Sequence, residues 1–176
     1  MLQVRLIRLG DFEDDWNRLD LETFALRHGE AFFLYFGTLD KLNKPTGQRI
    51  TLSSEPTDTV QEVPFNPQSD FLVFPVGDVA PLKPATIGRS EHSNVFIPDV
   101  SVSALHAIVI KSEAGEYYLL DAGSKNGTFV VDTPVPIVGI DRAFRLTAGQ
   151  RVRFGSVSLS FLRVGELHTL IGHLLK

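Results

Sequence analysis

Three short polar segments contain the side chains of this sequence that are best suited to binding an anion. They occupy residues 87–90, 100–106 and 121–128. In the first segment, Arg89 carries a planar guanidinium whose N–H donors match two oxygens of one phosphate group. In the second, Ser103 offers a hydroxyl group and a backbone N–H. These residue types are suited to hydrogen bonds with an anion, but the Gly-Arg pair alone is a weak signal.

The glycines in these segments predict loops with tight turns. Gly88 follows a short apolar run, at a point where the backbone is expected to need a torsion that is closed to other residues. Asn126 and Gly127 form an Asn-Gly pair between two apolar runs, which predicts a hairpin turn. His106 begins the apolar run that follows the second segment. All three segments are thus expected to connect strands.

The apolar runs around these loops predict strands rather than helices. Between Phe71 and Val164 they follow one another at residues 71–76, 85–87, 95–97, 106–111, 116–121, 128–131, 144–146, 151–154 and 157–164. Gly and Pro turns separate the runs, and no helical period lies between them. Many short strands of this kind are typical of an antiparallel β-sandwich, so the fold class is predicted to be all-β.

The rest of the chain is predicted to form an N-terminal αβ extension and a short C-terminal helix. In residues 1–70, apolar side chains at spacings of three and four predict a helix at about 12–28. A strand is predicted at about 31–36 and a polar loop at 38–68, and the last helix at 166–176. We expect the extension to pack on the main domain and its strand to join the sandwich.

Taken together, the three loop segments resemble the signature of the forkhead-associated (FHA) domain family. That signature is Gly-Arg, then a Ser and a His three residues apart, then Gly-Ser-x-Asn-Gly-Thr. The matching positions are Gly88, Arg89, Ser103, His106 and residues 123–128. The resemblance extends from Phe71 to Val164, about half of the chain. It implies an FHA-like antiparallel sandwich of the SMAD/FHA type over residues 71–165.

The resemblance also implies a function, since FHA domains bind phosphothreonine peptides through loops at one end of the sandwich. Arg89 matches the family's phosphate-binding arginine, and Ser103 matches the serine that donates hydrogen bonds to the same phosphate. Asn126 matches the asparagine that holds the peptide main chain. Lys125 lies where its loop can approach the phosphate, and Ser90, next to Arg89, completes the predicted phosphopeptide-binding set.

Four further residues are implied to shape the loops rather than to touch the ligand. They are Gly88, His106, Gly127 and Thr128. The family role of the histidine is to form hydrogen bonds within the fold. No catalytic residue, no metal ligand and no cofactor is predicted.

Two places in the sequence depart from the family pattern. Ala104 follows the binding serine, where an Arg or Asn often adds a phosphate contact, and Ser93-Asn94 stands where Asn-Asp is common. A hydrogen bond to a charged group contributes about 1.5–3 kcal/mol, so the loss of one is expected to weaken binding roughly tenfold or more. Lys125 is a candidate to compensate as a point charge.

The composition argues against several other classes of partner and site. A formal net charge of −4 gives no general attraction to nucleic acids or to anionic membranes. The absence of cysteine excludes disulfides, thiolate metal sites and cysteine nucleophiles, and fits a reducing compartment. Charged residues interrupt the N-terminal apolar residues, so no signal peptide is indicated. We therefore expect a cytoplasmic protein without nucleic-acid or membrane partners.

The sequence leaves two alternatives to phosphopeptide binding. One is a structural scaffold that assembles a protein complex without phosphate, which Ala104 makes more plausible. The other is an enzyme, because Ser103, His106 and Asp121 could be mistaken for a hydrolase triad. No nucleophile-elbow pattern is present, however, and His106 begins a strand. The partner that the resemblance implies is a phosphothreonine-containing protein, either a Ser/Thr protein kinase or its substrate.

A further hypothesis concerns an acidic stretch in the polar loop, residues 55–60, which contains Thr57 and Thr59. If a kinase phosphorylated either threonine, the loop could occupy the chain's own phosphate site, because tethering gives a high effective concentration. The alternative is a polar loop without this role.

Overall fold

Two β-sheets packed face to face form the centre of the structure, a computed structural model that describes residues 7–36, 71–77, 79, 83–135 and 143–175. Among the described strands, all pairs are antiparallel except β4 with β5. The predicted all-β sandwich is therefore confirmed. The predicted polar loop at 38–68, with Thr57 and Thr59, lies outside the described residues.

The larger sheet has seven strands in the order β1-β3-β2-β12-β11-β8-β9. These strands are Ile7–Arg8 (β1), Ala31–Phe36 (β2), Phe71–Pro75 (β3), Thr128–Val130 (β8), Thr133–Pro134 (β9), Arg151–Phe154 (β11) and Val157–Arg163 (β12). The smaller sheet has the order β10-β7-β6-β4-β5. Its strands are Ala85–Gly88 (β4), Val95–Phe96 (β5), Ala107–Lys111 (β6), Tyr117–Asp121 (β7) and Phe144–Leu146 (β10). Each predicted run between 71 and 164 contains one of these strands, whereas β1 and β9 are too short to show a period.

The core between the sheets follows from the alternation of side chains along each strand. In β11, Val152 and Phe154 are fully buried, while Arg151 and Arg153 point to the other face. Phe161 of β12 is also fully buried. A shift of one residue in register would bring the arginines into the core, so this alternation fixes the pairing of the strands.

The strand of the N-terminal extension lies inside the larger sheet. In β2, Phe33 is opposite Phe161 of β12 on one side and opposite Phe74 of β3 on the other. Its ring is fully buried, at 5.5 Å between centroids from the rings of Phe154 and Phe161. The extension therefore contributes a central strand and a core side chain, and does not form a separate layer.

The prediction of one continuous helix at about 12–28 is wrong, because the helical region is interrupted. The chain instead forms a 3-10 helix at Leu9–Phe12 and then two α-helices, α1 (Glu13–Arg18) and α2 (Leu21–His28). Leu19 has extended backbone torsions (φ −107°, ψ 144°), and the Asp20 carboxylate caps α2. An N-cap residue lies outside the helix that it begins, so this aspartate divides the predicted helix in two.

The last helix begins slightly earlier than predicted. This helix, α3, spans Val164–Leu174, and Glu166 at its third position accepts a hydrogen bond from the backbone N–H of Arg163 (3.1 Å). Among the described residues, no helix is long and apolar enough to cross a membrane.

The helices cover one half of the outer face of the larger sheet. A second apolar cluster lies beneath them and contains Leu9, Phe12, Phe24, Phe32, Leu34, Val73, Leu162, Leu167 and Ile171. On the other half of that face, Arg151 and Ser158 are exposed. The helical elements thus bury the β1, β3, β2 side of the sheet and leave the β11 and β8 side accessible.

We predict that Phe33→Ala lowers the free energy of unfolding by about 3–5 kcal/mol, because it opens a cavity among fully buried rings. Urea unfolding followed by circular dichroism measures this change. Phe36→Ala, at the 64 % exposed end of the same strand, is the control and should cost much less. Equal losses for the two variants would contradict a core role for β2.

Candidate phosphopeptide-binding site

Backbone and side-chain hydrogen bonds join the three predicted loops at one end of the sandwich. The N–H of Arg89 donates to the carbonyl oxygen of Ser103 (2.9 Å), and the N–H of Lys125 donates to Ser103 Oγ (3.0 Å). Asn126 Nδ2 donates to the carbonyl oxygen of Ser101 (2.7 Å). The structure therefore brings Arg89, Ser103, Lys125 and Asn126 into one site.

Hydrogen bonding within the protein orients the guanidinium of Arg89 but leaves some of its N–H donors without a described partner. Its Nε donates to the carbonyl oxygen of Val102 (3.2 Å), a residue that is 1 % exposed and so has a fixed position. No described residue accepts a hydrogen bond from the two terminal nitrogens. Since Arg89 is exposed, these nitrogens are free to bind two oxygens of an incoming phosphate.

Ser103 can offer a phosphate its hydroxyl group but not its N–H. The hydroxyl oxygen accepts from Lys125, which leaves the hydroxyl hydrogen to donate. The expectation that the N–H is also available is wrong, because that N–H donates to Nδ1 of His106 (3.0 Å). The imidazole thus fixes the serine loop through its main chain.

His106 connects all three loops from a fully buried position. Besides accepting from Ser103 at Nδ1, its ring places Nε2 3.1 Å from the carbonyl oxygen of Gly127. A carbonyl oxygen only accepts, so Nε2 carries the hydrogen and the ring is the neutral Nε2–H tautomer. The N–H of His106 donates to the carbonyl oxygen of Ile87, next to the arginine loop (2.8 Å).

Gly88 is required for a different reason from the one predicted. Its backbone is not in the positive-φ region, so no torsion closed to other residues is involved. A Cβ at this position would instead lie 2.1 Å from the carbonyl oxygen of Ala104. The same oxygen accepts a hydrogen bond from the N–H of Ser90 (3.1 Å). Gly88 therefore allows the arginine loop and the serine loop to approach each other.

Gly127 does have the positive φ (+76°) that its Asn-Gly turn predicts. A Cβ here would also lie 2.9 Å from Cε2 of Phe129. Its carbonyl oxygen accepts from Nε2 of His106 and from the N–H of Gly155 (3.1 Å). This glycine therefore holds the asparagine turn against the rest of the site.

The carboxylate of Asp121 anchors the third loop, a role that the sequence analysis missed. It accepts hydrogen bonds from the backbone N–H and hydroxyl of Ser124 (2.7 and 2.6 Å), from the N–H of Gly123 (2.8 Å) and from the hydroxyl of the buried Thr128 (2.6 Å). Burial opposes ionisation, but the hydrogen bonds from Ser124 and Thr128 lower the pKa of Asp121 on balance. The available signal was the Asp-x-Gly-Ser spacing, which favours an Asx turn.

A second group that the sequence analysis missed fixes the turn between β11 and β12. Ser101 Oγ lies 2.7 Å from Ser156 Oγ and donates to the carboxylate of Asp99, which is 5 % exposed. A Cβ on Gly155 would lie 2.4 Å from the carbonyl oxygen of Ser101. These contacts place the β11–β12 turn next to Asn126, and nothing in the sequence indicated that these distant residues meet.

Ser90 lies in the turn that follows β4. Its Oγ accepts a hydrogen bond from the N–H of His92 (3.3 Å), which shapes the turn and leaves the hydroxyl hydrogen to donate. Its contribution to phosphate binding stays a prediction.

The residues that resemble a hydrolase triad are not connected as one. Ser103 approaches His106 with its N–H rather than its hydroxyl, and the other ring nitrogen faces Gly127 rather than Asp121. No proton relay from hydroxyl to imidazole to carboxylate therefore exists. Within the described part of the chain, no cluster of three or more His, Asp or Glu side chains could hold a metal ion.

Burial lowers the pKa of His106 below its ordinary value of 6.5, against the raising effects of Gly127 and Asp121. The unfolded chain therefore takes up a proton at a higher pH than the folded chain. We predict that the contribution of this residue to stability falls as the pH drops below about 6.5, by up to about 1.4 kcal/mol per pH unit.

Urea unfolding between pH 7.5 and 5.5 measures this dependence, with His106→Asn as the matched variant. The difference in unfolding free energy between the two proteins should shrink as the pH falls. A difference that stays constant over this range would contradict a neutral His106.

The part of the chain that contains this site matches a known protein family. The model of the FHA domain family matches residues 85–155, which include every residue of the site described above except Ser156. This range is less than half of the chain, and it contains the strands from β4 to β11.

Relatives of known sequence match the same part of the chain. The glycogen accumulation regulator GarA of Mycolicibacterium smegmatis is 41% identical over 75 residues, which cover 43% of this chain and 43% of that protein. The oxoglutarate dehydrogenase inhibitor of Corynebacterium glutamicum is 35% identical over 77 residues, which cover 44% of this chain and 49% of that protein. The chain thus matches less than half the length of these relatives.

Solved structures with partial similarity include the FHA domain of the CT664 protein from Chlamydia trachomatis. It is 26% identical, has a TM-score of 0.41, and the match covers 48% of this chain and 79% of that one. The family model and the sequence relatives are the stronger findings. They confirm the resemblance read from the three loops: residues 85–155 of this chain match the FHA domain family.

Proposed function

We propose that this protein binds phosphothreonine-containing peptides and acts as an adaptor in Ser/Thr kinase signalling. One observation carries the proposal: a backbone hydrogen bond of 2.9 Å joins Arg89 to Ser103 and holds their two loops side by side. The terminal guanidinium N–H groups of Arg89 and the hydroxyl hydrogen of Ser103 are therefore adjacent and available to a ligand. Donors that are already held in place lose little conformational entropy when a phosphate binds.

The charge around these donors also favours an anion. Arg89 and Lys125 are both exposed, and neither forms an ion pair with any described carboxylate. The protein as a whole carries a formal net charge of −4, so this positive site is local. A phosphate group carries about −1.5 to −2 charges, which balances the two positive charges of Arg89 and Lys125. A single carboxylate, with one negative charge, balances only one of them.

Asn126 is the residue proposed to hold the main chain of the peptide. Its Nδ2 donates to Ser101, and its side-chain oxygen and second amide hydrogen are available to a ligand. An amide that donates and accepts at once matches the alternating N–H and C=O groups of an extended peptide.

The partner is proposed to be a Ser/Thr protein kinase or one of its substrates. The relatives named above are a regulator and an inhibitor by name, which supports a role in regulation rather than catalysis. We further propose that residues 71–165 are the binding domain, with the extension 1–70 and the helix 166–176 packed on it. The cytoplasmic location and the absence of a cofactor stay predictions.

A phosphate-independent scaffold remains the second candidate, and Ala104 is the observation that favours it. Its exposed methyl group follows Ser103 directly and cannot donate a hydrogen bond. The site therefore has one side-chain donor fewer than the family pattern provides.

The function is tested with a degenerate phosphothreonine peptide library, beside its unphosphorylated and phosphoserine forms, in fluorescence anisotropy. Wild type should select phosphothreonine, and Arg89→Ala should weaken binding about a hundredfold, since two hydrogen bonds to a charged group are lost. Arg18→Ala, which removes an exposed arginine from α1, is the control and should bind like wild type. Binding that ignores the phosphate would support the scaffold.

We predict that Ala104→Arg tightens phosphopeptide binding by about tenfold, because it restores a charged donor next to Ser103. The packing against Gly88 uses the carbonyl group of Ala104, and the side chain is exposed, so the substitution should be tolerated. Anisotropy titrations with one selected peptide measure the gain. Equal affinity for wild type and variant would show that this position does not face the phosphate.

A further inference from the structure

The uncovered half of the larger sheet carries a basic, polar surface. Arg151 and Arg153 point outward from β11, and in the neighbouring strand Ser160 and Ser158 lie directly opposite them. On the other side, Phe129 of β8 is opposite Arg153. We call this surface, formed by these five residues, the arginine face.

One guanidinium of the arginine face is held in a fixed orientation. The guanidinium carbon of Arg153 lies 4.0 Å from the centre of the Phe129 ring, and its NH1 donates to the carbonyl oxygen of Gly155 (2.7 Å). A solvated surface arginine samples many rotamers, whereas stacking on an aromatic ring together with a hydrogen bond restricts this one. Less entropy is therefore lost when it binds an anion.

The positive charges of the arginine face have no ion-pair partner within the described residues. No described carboxylate forms an ion pair with Arg151 or Arg153. Other described cations, among them Arg27, His28, Lys111 and Arg145, do form ion pairs. Asp132 lines the same concave region as the two arginines, but it forms no ion pair with either of them. In a protein with an overall excess of acidic residues, two adjacent cations that outnumber the one nearby carboxylate indicate a surface that attracts an external anion.

The arginine face is continuous with the proposed phosphopeptide site. A concave region of about 740 Å³ is lined by all five of its residues, and a second one of about 450 Å³ is lined by Ser101, Asn126, Arg153, Gly155 and Ser156. Arg153 lines both regions. A peptide held by Asn126 can thus extend over the β11–β12 turn towards Arg151.

The spacing of the two arginines matches that of an extended peptide. Residues two positions apart in a β-strand are separated by about 7 Å, and the same rise applies to an extended ligand. Two carboxylates at alternate positions of a peptide would therefore lie opposite Arg153 and Arg151. A membrane or a nucleic acid would need a broader basic surface than two residues provide.

We propose that the arginine face binds an acidic segment of the same partner that carries the phosphothreonine. This inference rests on the proposed function, and it adds a preference for Asp or Glu at alternate positions beside the phosphorylated residue. Exposed ion pairs of this kind are weak, so two of them together should strengthen binding about fivefold at low salt.

The test compares phosphothreonine peptides that carry two Asp residues at alternate positions, on either side of the phosphothreonine, with peptides that carry Asn there. Wild type and Arg151→Gln are titrated by anisotropy at 50 and 300 mM salt. Arg151 is chosen because it is exposed and its side chain forms no hydrogen bond or ion pair with the described residues of the phosphate loops. Arg18→Gln, with the same loss of charge on the helical side, is the matched control.

The inference predicts that wild type prefers the Asp peptides on one side of the phosphothreonine about fivefold, and that high salt removes most of this preference. In Arg151→Gln the preference for the Asp peptides should fall from about fivefold to about twofold, while the affinity for the Asn peptides stays the same. Arg18→Gln should change neither the preference nor the affinity.

Equal binding of Asp and Asn peptides by wild type, with phosphate still required, would overturn this inference and leave the proposed function intact. If wild type binds no phosphopeptide at all, the proposed function fails, and the inference fails with it. A loss of self-association in Arg151→Gln, measured by sedimentation velocity without peptide, would assign the arginine face to a second copy of the chain instead.

Discussion

The site depends on one buried imidazole that joins three loops. His106 accepts a hydrogen bond from the N–H of Ser103 and donates one to the carbonyl oxygen of Gly127, while its own main chain is bonded to Ile87. Each loop would otherwise need its own local structure to hold its position. Because the ring must accept at one nitrogen and donate at the other, only the neutral form satisfies both loops. Burial favours that form, so the sandwich core and the surface site stabilise the same state of one residue.

The close approach of the loops explains why small residues surround this imidazole. Gly88 and Gly155 each lie where a Cβ would collide with a carbonyl oxygen, of Ala104 and of Ser101 respectively. These contacts bring main chains together, and the polar side chains of the site are then displayed outward. The free donors of Arg89 and Ser103 are thus a consequence of backbone packing, and a ligand does not have to assemble them.

Much of this site could be predicted because it is encoded locally. Arg89, Ser103 and Asn126 lie in loops whose glycine and asparagine patterns are visible in the sequence, and the alternating strands that hold the loops are visible as well. What could not be predicted depends on residues distant in the chain. The contact of Ser101 with Ser156 and the central position of β2 require knowledge of which strands pair. The break at Asp20 was missed because the apolar period continues across it and hides the capping residue.

The central claim is that a phosphate group binds to donors that the free protein already holds in place. The most direct measurement is a titration of the 15N-labelled protein with a phosphothreonine peptide, observed by nuclear magnetic resonance. If the donors are held in place, the phosphopeptide should cause large shifts for the side-chain Nε–H of Arg89 and the amides of Ser103, Lys125 and Asn126, and small shifts in the strands. The unphosphorylated peptide should cause none of these changes. Shifts confined to another surface, or shifts that do not depend on the phosphate, would contradict this claim.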